Sequence, residues 1–529
     1  MIVLAVLLAC AEPTTARSDR PEVAVPASTD PTTTLPSDST ASAPPCIPVP
    51  GERRLRRLTH AEYGATVRDL LDTDLAPEAG LVDDDAGDDP LGDVHLEVGA
   101  LLADQYLHAA ELLAADALPR LDALLPPCAA RDEACVERFV DAFGRRAWRR
   151  PLTGPERARQ VAVWAAVADE EGFDEGMRWL LVSLLTAPQF LYRVEGSLED
   201  AAGGYSLTDH EVATALSYGI LGTTPDDALL DAAADGTLAT DGGVAATVDA
   251  LVADPRAAER LFAVVSRLLE LDTLSVVVRG DALTADVRVS LEEEARRLVV
   301  AQVRAGGSLE DLLMARESEI DALLAGFYGV APPATTDADG FGAVIWSRRA
   351  GLLDRGAFLA VHAVPDGSSP VRRGVAVREF LLCQPLPIPP AELQVALGPV
   401  DPTLTTRQRF EAHTTDPACA GCHTLIDPIG FAFEHFDGVG RWRDTERGLP
   451  VDTSTELDGV PVGGSIDLAD ALAASPVLQP CWVEHALTAF GGAAPTACEL
   501  EAALSAGGAD QLTEVWRTWA TSPAFRHRR

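Results

Sequence analysis

Cys419-Ala420-Gly421-Cys422-His423 is the stretch of this 529-residue chain from which its fold can be worked out. It reads C-x-x-C-H, the attachment pattern of a c-type haem. Two thiols at this spacing can each form a thioether to one haem vinyl group, and the adjacent imidazole then falls beneath the iron. The pattern therefore predicts a covalent haem c held by Cys419, Cys422 and His423 in a cytochrome-c-like module.

Two alternatives explain the two cysteines without haem. The thiols could form a disulfide, or Cys419 and Cys422 could join two imidazoles, such as His413 and His435, around Zn²⁺. His423, directly after Cys422, is required by haem and unexplained by zinc, so haem is the preferred interpretation.

The iron of a low-spin c-type haem has a sixth ligand, usually Met or His. His413 is the predicted ligand, because the segment leading into the motif can fold back over the haem. Met177 and Met314 lie more than a hundred residues away, and core filling explains them better. An open sixth position would instead allow peroxide or small-ligand chemistry, so the sequence leaves open whether this is an enzyme.

Two further features follow the motif. Arg441 and Arg443 are predicted to pair with haem propionates, since a guanidinium matches a carboxylate, although surface salt bridging explains them equally well. Asp427-Pro428-x-Gly430 predicts a turn.

The composition excludes several function classes. The net charge of −39 argues against nucleic acid as a partner. All 42 basic residues are arginine, so a P-loop and a Schiff-base lysine are impossible. No G-x-S-x-G, H-E-x-x-H or G-x-G-x-x-G fingerprint supports a hydrolase or a dinucleotide site.

The N-terminus predicts export. Residues 1–10 form a short apolar run ending in Leu7-Leu8-Ala9-Cys10, which looks like a bacterial lipobox with Cys10 as the acylated residue. No basic residue precedes the run, as a signal peptide would require, and a buried apolar N-terminus is the alternative. The expected location is periplasmic or at the cell surface, anchored by lipid.

The other cysteines fit an oxidising compartment. Cys128 and Cys135 bracket a short loop, and Cys481 and Cys498 bracket a longer one, so each pair is predicted to form a local disulfide. Cys46 and Cys383 remain and could pair with each other, but sequence alone does not determine connectivity.

The rest of the chain predicts a mainly α protein. Thr59-x-x-Glu62, Thr153-x-x-Glu156 and Thr208-x-x-Glu211 are capping boxes that begin helices. Further helices are expected at 241–254, 256–270, 287–305 and 308–326. The predicted order is a lipoprotein-type signal (1–10), a disordered tether (11–50), helical modules (51–130, 131–197, 198–335), a cytochrome-c-like module (345–450) and a C-terminal helical module (455–529).

With these landmarks in place, the chain from about residue 53 onward resembles a known family. It is similar to the large multi-module exported proteins of unknown function, of the planctomycete-specific-domain type, in planctomycetes and myxobacteria. The matching segments, in the family's order, are Leu55–Tyr63 with Val67–Leu71, Arg145–Leu152, Pro188–Arg193 with Leu216–Tyr218 and Pro225–Asp227, Ser369–Gly374 with Cys419–Arg443, and Ser522–Phe525. The resemblance implies a helical, exported, haem-bearing protein and says little about a substrate.

Two functional hypotheses follow. The first is an exported c-type haem protein in electron transfer or haem redox chemistry, with an unknown redox partner. The second is a haem-free structural or interaction lipoprotein with zinc or a disulfide at the C-x-x-C-H motif.

Overall fold

The computed structural model of the protein describes residues 55–82, 84, 91, 98–195, 198–199, 204–386, 403–415, 417–505 and 511–528. The described part of the chain is mainly α, with 63% of its residues helical and only small sheets. Cys10, Cys46 and the predicted signal and tether lie outside the described residues.

The N-terminal part is helical and builds its own hydrophobic core. Its helices are α1 His60–Leu71, α2 Ala100–Ala117, α3 Leu121–Leu124, α4 Glu133–Trp148, α5 Gly154–Glu171, α6 Phe173–Thr186 and α7 Pro188–Leu191. Their buried side chains form one cluster, in which Tyr63, Phe139, Met177 and Phe190 are fully enclosed. Met177 is therefore core filling, as predicted.

The central part continues the helical pattern and contributes to a second, larger core. Its helices are α8 Asp209–Ile220, α9 Asp227–Ala234, α10 Asp241–Val252, α11 Pro255–Leu268, α12 Ala285–Arg304, α13 Leu309–Met314 and α14 Ala322–Tyr328. This second core extends through the C-terminal helices as far as Phe525.

The remaining helices surround the C-x-x-C-H motif or follow it. They are α15 Gly356–Val361, α16 Pro370–Phe380, α17 Thr406–Thr415, α18 Pro417–Phe431, α19 Ser465–Ala473, α20 Leu478–Gly491, α21 Ala497–Ser505, α22 Glu514–Thr521 and α23 Pro523–Arg526. The motif lies on α18.

The strands are short and pair antiparallel. They are β1 Leu55–Arg57, β2 Tyr192–Val194, β3 Leu198–Glu199, β4 Tyr205–Ser206, β5 Glu317–Ile320, β6 Gly342–Ile345, β7 Thr445–Glu446, β8 Leu449–Pro450, β9 Thr455–Leu457, β10 Val460–Val462 and β11 His527–Arg528. The pairs are β1 with β2, β5 with β6, β7 with β8 and β9 with β10, while β4 lies between β3 and β11. The sheets therefore join segments locally or across the chain without forming a layer.

The three predicted capping boxes are confirmed. The side chains of Thr59, Thr153 and Thr208 each accept a hydrogen bond from the backbone N–H three residues on, and the glutamate there accepts one from the backbone N–H of the threonine. These reciprocal bonds satisfy backbone donors that no helical carbonyl can reach, which is why the helices begin where the sequence indicates.

The helix predicted over 308–326 is wrong, because β5 interrupts it. The side chain of Ser318 points into the core, where it donates to Glu294 at 3.0 Å and accepts from the Trp346 indole at 2.7 Å. Pairing with β6 and this buried network override a helical pattern that the local sequence alone supports.

The turn predicted at Asp427–Gly430 is also wrong. These residues lie within α18, with Pro428 inside the helix. Proline ordinarily disfavours a helix interior, but here α18 packs tightly on α16. A Cβ atom at Gly430 would lie 1.9 Å from the Pro370 carbonyl oxygen, so glycine serves close helix packing at this position.

The disulfides confirm one predicted pair and correct another. Cys128 bonds to Cys135 with an S–S distance of 2.01 Å. Cys481 pairs with Cys383 at 2.06 Å, and not with Cys498. Cys383 follows α16 and Cys481 lies on α20. The packing of these distant segments determines the pairing, and the Cys481–Cys498 pair predicted from sequence proximity is wrong. Cys498 is itself disulfide-bonded.

None of the described helices is long and apolar enough to cross a membrane.

Candidate functional site

The C-x-x-C-H motif forms one partly exposed face of α18. Residues three and four apart are neighbours on a helix surface, so Cys419, Cys422 and His423 lie on the same side. Each of the three is partly exposed, and both cysteines are free thiols. The three predicted haem-binding side chains therefore lie on one helical face, and no disulfide joins the two thiols in this structure.

The imidazole of His423 is held by a buried carboxylate one turn along the helix. Nδ1 of His423 lies 3.0 Å from each carboxylate oxygen of Asp427. The Asp427 side chain is fully buried, whereas that of His423 is 21% exposed. Burial raises the pKa of the Asp427 carboxyl, and the adjacent imidazole opposes this shift. The contact orients the ring with its Nδ1 edge toward the protein interior.

Two glycines allow α16 and α18 to touch on either side of Asp427. A Cβ atom at Gly374 of α16 would lie 2.1 Å from the Ile426 carbonyl oxygen, and Gly430 meets Pro370 as described. Larger side chains at either position would push the helices apart. The backbone around Asp427 is therefore held in a fixed place beneath the motif.

Arg373 fastens α16 to the chain that follows α18. Its fully buried guanidinium donates to the carbonyls of Phe433, Phe436, Leu359 and Asp437, at distances from 2.7 to 3.2 Å. Burial lowers the pKa of Arg373 to about 10, so the group remains charged at neutral pH. One side chain thus organises the turns after the motif helix, a role that the sequence did not reveal.

The two arginines predicted to meet propionates are engaged with the chain's own carboxylates. Arg441 pairs with Asp437 at 3.0 Å, and Arg443 pairs with Glu434 at 2.7 Å and with Glu446 at 3.1 Å. These ion pairs match the salt-bridging alternative that the sequence left open.

The two other histidines of the metal hypotheses lie before and after α18. The backbone of His413 belongs to α17, and its side chain lies outside the described part of the structure. His435 stacks on Trp442 with ring centroids 4.4 Å apart, and its Nδ1 lies 2.9 Å from the Arg443 carbonyl oxygen. Packing and a backbone hydrogen bond therefore account for His435.

The zinc alternative can be tested on ligand distances. Among the described residues, three close ligand atoms of the His, Cys, Asp or Glu type occur only at Cys383, Cys481 and His485, and two of these form a disulfide. Zn–S bonds of about 2.3 Å require zinc ligands to lie close together. Cys419, Cys422 and His435 do not form such a group. The side chain of His413, the other imidazole proposed for zinc, lies outside the described residues.

Sequence reasoning missed Asp427 as a site residue. The available signal was its position four residues after His423, which places it on the same helical face. The Asp-Pro-x-Gly pattern predicts a turn instead, and a turn would not place Asp427 on the face of His423.

Comparisons with known protein families found matches to successive segments of the chain. Four family models match, each described as a protein of unknown function: PSD3 (DUF1587) at residues 56–119, PSD5 (DUF1595) at 135–195, PSD4 (DUF1592) at 207–330 and PSCyt3 (DUF1588) at 349–446. The last match contains α16 and α18. No curated protein and no solved structure matched the chain.

Proposed function

The chain belongs to the multi-module proteins of unknown function built from planctomycete-specific domains, and on that premise we propose that it is a c-type haem protein working in electron transfer or haem redox chemistry. The designation PSCyt3 of the model that matches residues 349–446 hints at a cytochrome-like domain. Bound covalently at α18, a haem supplies a one-electron iron couple.

The observation that carries the proposal is the arrangement on α18. Two free thiols and an imidazole share one partly exposed helical face, and the imidazole is held through Nδ1 by the buried Asp427. Nε2 is then the nitrogen that would bind iron, and the thiols of Cys419 and Cys422 would form the thioethers. The donor chemistry therefore fits the group.

His413 remains the proposed sixth ligand, because α17 precedes the motif helix directly. If two imidazoles bind the iron, the reduction potential is lower than with a methionine ligand. If the sixth position stays open, the iron could carry out peroxide or small-ligand chemistry, which would separate an enzyme from an electron carrier.

We also propose that the protein is exported and tethered by a lipid on Cys10. The disulfides Cys128–Cys135 and Cys383–Cys481 support an oxidising compartment. Attachment of haem c takes place in the same kind of compartment. The redox partner would meet a strongly acidic protein, since the chain carries a net charge of −39.

The alternative is a haem-free structural or interaction lipoprotein. In that case the C-x-x-C-H motif on α18 would hold zinc or form a disulfide. Its supporting observation is that Arg441 and Arg443 already have carboxylate partners within the chain.

The deciding experiment is expression of the full chain in a host that matures c-type cytochromes, followed by a haem-stained denaturing gel and a visible spectrum. We expect a stained band for the wild type and none for the Cys419→Ala/Cys422→Ala double variant. Gly421→Ala is the matched control, because a Cβ atom there meets nothing within 4 Å and the motif is retained. A colourless wild-type protein, with or without bound zinc, would overturn the proposal.

The sixth ligand is tested in the same preparation. We expect His413→Ala to convert a low-spin visible spectrum into a high-spin one while the haem stain is unchanged. An identical spectrum in the variant would exclude His413 as the ligand.

A further inference from the structure

The contact between His423 and Asp427 determines which ring nitrogen carries the proton. Both carboxylate oxygens lie 3.0 Å from Nδ1, so Nδ1–H donates to the carboxylate. The partner of one ring nitrogen selects the tautomer of the whole imidazole. The tautomer that this contact favours leaves the lone pair on Nε2, the nitrogen that faces away from Asp427.

The position of Asp427 is imposed by the scaffold rather than by the motif. The two glycine contacts described above bring α16 against α18 at Ile426, just before Asp427, and at Gly430, just after it. Its side chain is fully enclosed, which removes the freedom to turn toward water. A carboxylate held this firmly can orient a neighbouring ring to within the tolerance that a metal ligand needs.

The ion-pair partner of Asp427 is the imidazole of His423. Within the described part of the chain, its one ion pair is with His423. Glu434, the other buried carboxylate of this region, is instead compensated by Arg443 at 2.7 Å. Asp427 therefore differs from the structural carboxylates around it in having the proposed iron ligand as its partner.

We propose that Asp427 is a positioning residue that fixes the tautomer and orientation of His423 and strengthens this imidazole as an electron donor to iron. Carboxylates that accept the second N–H of a metal-bound histidine raise the basicity of the ligand. A more basic ligand stabilises the oxidised iron, so Asp427 biases the haem toward a low reduction potential. This second consequence rests on the proposed function, whereas the effect on the tautomer does not.

The potential is tested with the isosteric Asp427→Asn variant, which keeps an acceptor oxygen and removes the charge. At a fixed poise we expect the ratio of reduced to oxidised protein to rise about tenfold, which is about 59 mV for a one-electron couple. The matched control is Asp444→Asn, which removes the same charge from a carboxylate of the same region that pairs with Arg348 and Trp442. It should leave the midpoint near the wild-type value. Equal shifts in the two variants, or no shift in Asp427→Asn with haem attached, would overturn the effect on potential.

The tautomer is read on the full chain without haem, in Cys419→Ala/Cys422→Ala protein carrying ¹⁵N-labelled histidine. We expect the His423 ring to show the Nδ1–H form, and to move toward the Nε2–H form when Asp427→Ala is added. An unchanged ring signal would overturn the positioning role. If the wild type takes up no haem, the proposed function fails, while this measurement still decides whether Asp427 controls the imidazole.

Discussion

The carboxylate of Glu434 lies 2.7 Å from a guanidinium nitrogen of Arg443, and the Glu434 side chain is only 2% exposed. The Ser368 hydroxyl donates to the same carboxylate oxygen at 2.9 Å. Burial raises the pKa of Glu434, so its charge depends on the arginine beside it. This ion pair closes the turn that follows the motif helix.

Removing the arginine should therefore destabilise the protein, because the buried carboxylate loses its ion pair. We expect Arg443→Met to lower the free energy of unfolding by about 3 kcal/mol, because an unpaired charge remains inside. Chemical denaturation of the full chain measures the loss. The matched control is Arg441→Met, whose side chain is 46% exposed and pairs with Asp437. It should cost less than about 1 kcal/mol, and a control as damaging as Arg443→Met would refute the assignment.

The glycines between α16 and α18 should tolerate no side chain. We expect Gly430→Ala to destabilise the protein by about 2 kcal/mol or more, because its Cβ would lie 1.9 Å from the Pro370 carbonyl oxygen and the backbone must move. Gly421→Ala on the same helix is unobstructed and should stabilise α18 by up to about 1 kcal/mol. Thermal unfolding of the two variants should thus shift in opposite directions, and shifts in the same direction would argue against tight helix packing here.

His362 should make stability depend on pH. Burial lowers its pKa to about 4, and Nε2 lies 3.0 Å from the Leu269 carbonyl oxygen. The unfolded chain has a histidine pKa of about 6.5, so it binds protons more readily than the folded one. The contribution of His362 to the free energy of unfolding is therefore fully present above about pH 6.5. It is lost as the pH falls toward 4, and the loss is at most about 3 kcal/mol.

The comparison variant for this effect is His362→Gln, which retains a donor for the carbonyl and cannot titrate. As the pH falls from 7 to 4.5, we expect the free energy of unfolding of the wild type to decrease relative to that of His362→Gln. The measurement is the free energy of unfolding of both proteins at several pH values. A difference that does not change with pH would mean that His362 is not buried in its neutral form.

The disulfide between Cys383 and Cys481 should matter more than the one between Cys128 and Cys135. It joins residues 98 apart, against 7 for the local bridge. In the chain-entropy account the longer loop contributes about 4.7 kcal/mol and the shorter one about 2.4 kcal/mol. Cys383→Ala/Cys481→Ala should therefore lower the unfolding midpoint more than Cys128→Ala/Cys135→Ala.

Peptide mapping without reduction checks the connectivity directly. It should yield one peptide that links Cys383 to Cys481. A peptide linking Cys481 to Cys498 would contradict the structure and restore the pairing that sequence proximity suggested.

The features that the sequence predicted correctly all depend on residues a few positions apart. The capping boxes at Thr59, Thr153 and Thr208 need only a hydroxyl and a carboxylate three residues on. Cys128 and Cys135 are near enough to bond within one loop, and the C-x-x-C-H spacing becomes one helical face as soon as α18 forms. Local geometry follows from local sequence, so the mainly helical fold and the motif could be inferred without coordinates.

Tertiary packing alone decided the remaining features. β5 forms in place of the predicted helix because Ser318 hydrogen-bonds to Glu294 and Trp346, which lie more than twenty residues away in sequence. Cys481 pairs with Cys383 because α20 packs near the end of α16, and the Asp427 side chain is fully buried where two glycines let α16 and α18 touch. Such contacts depend on how distant segments are brought together, and no local spacing encodes which segments those are.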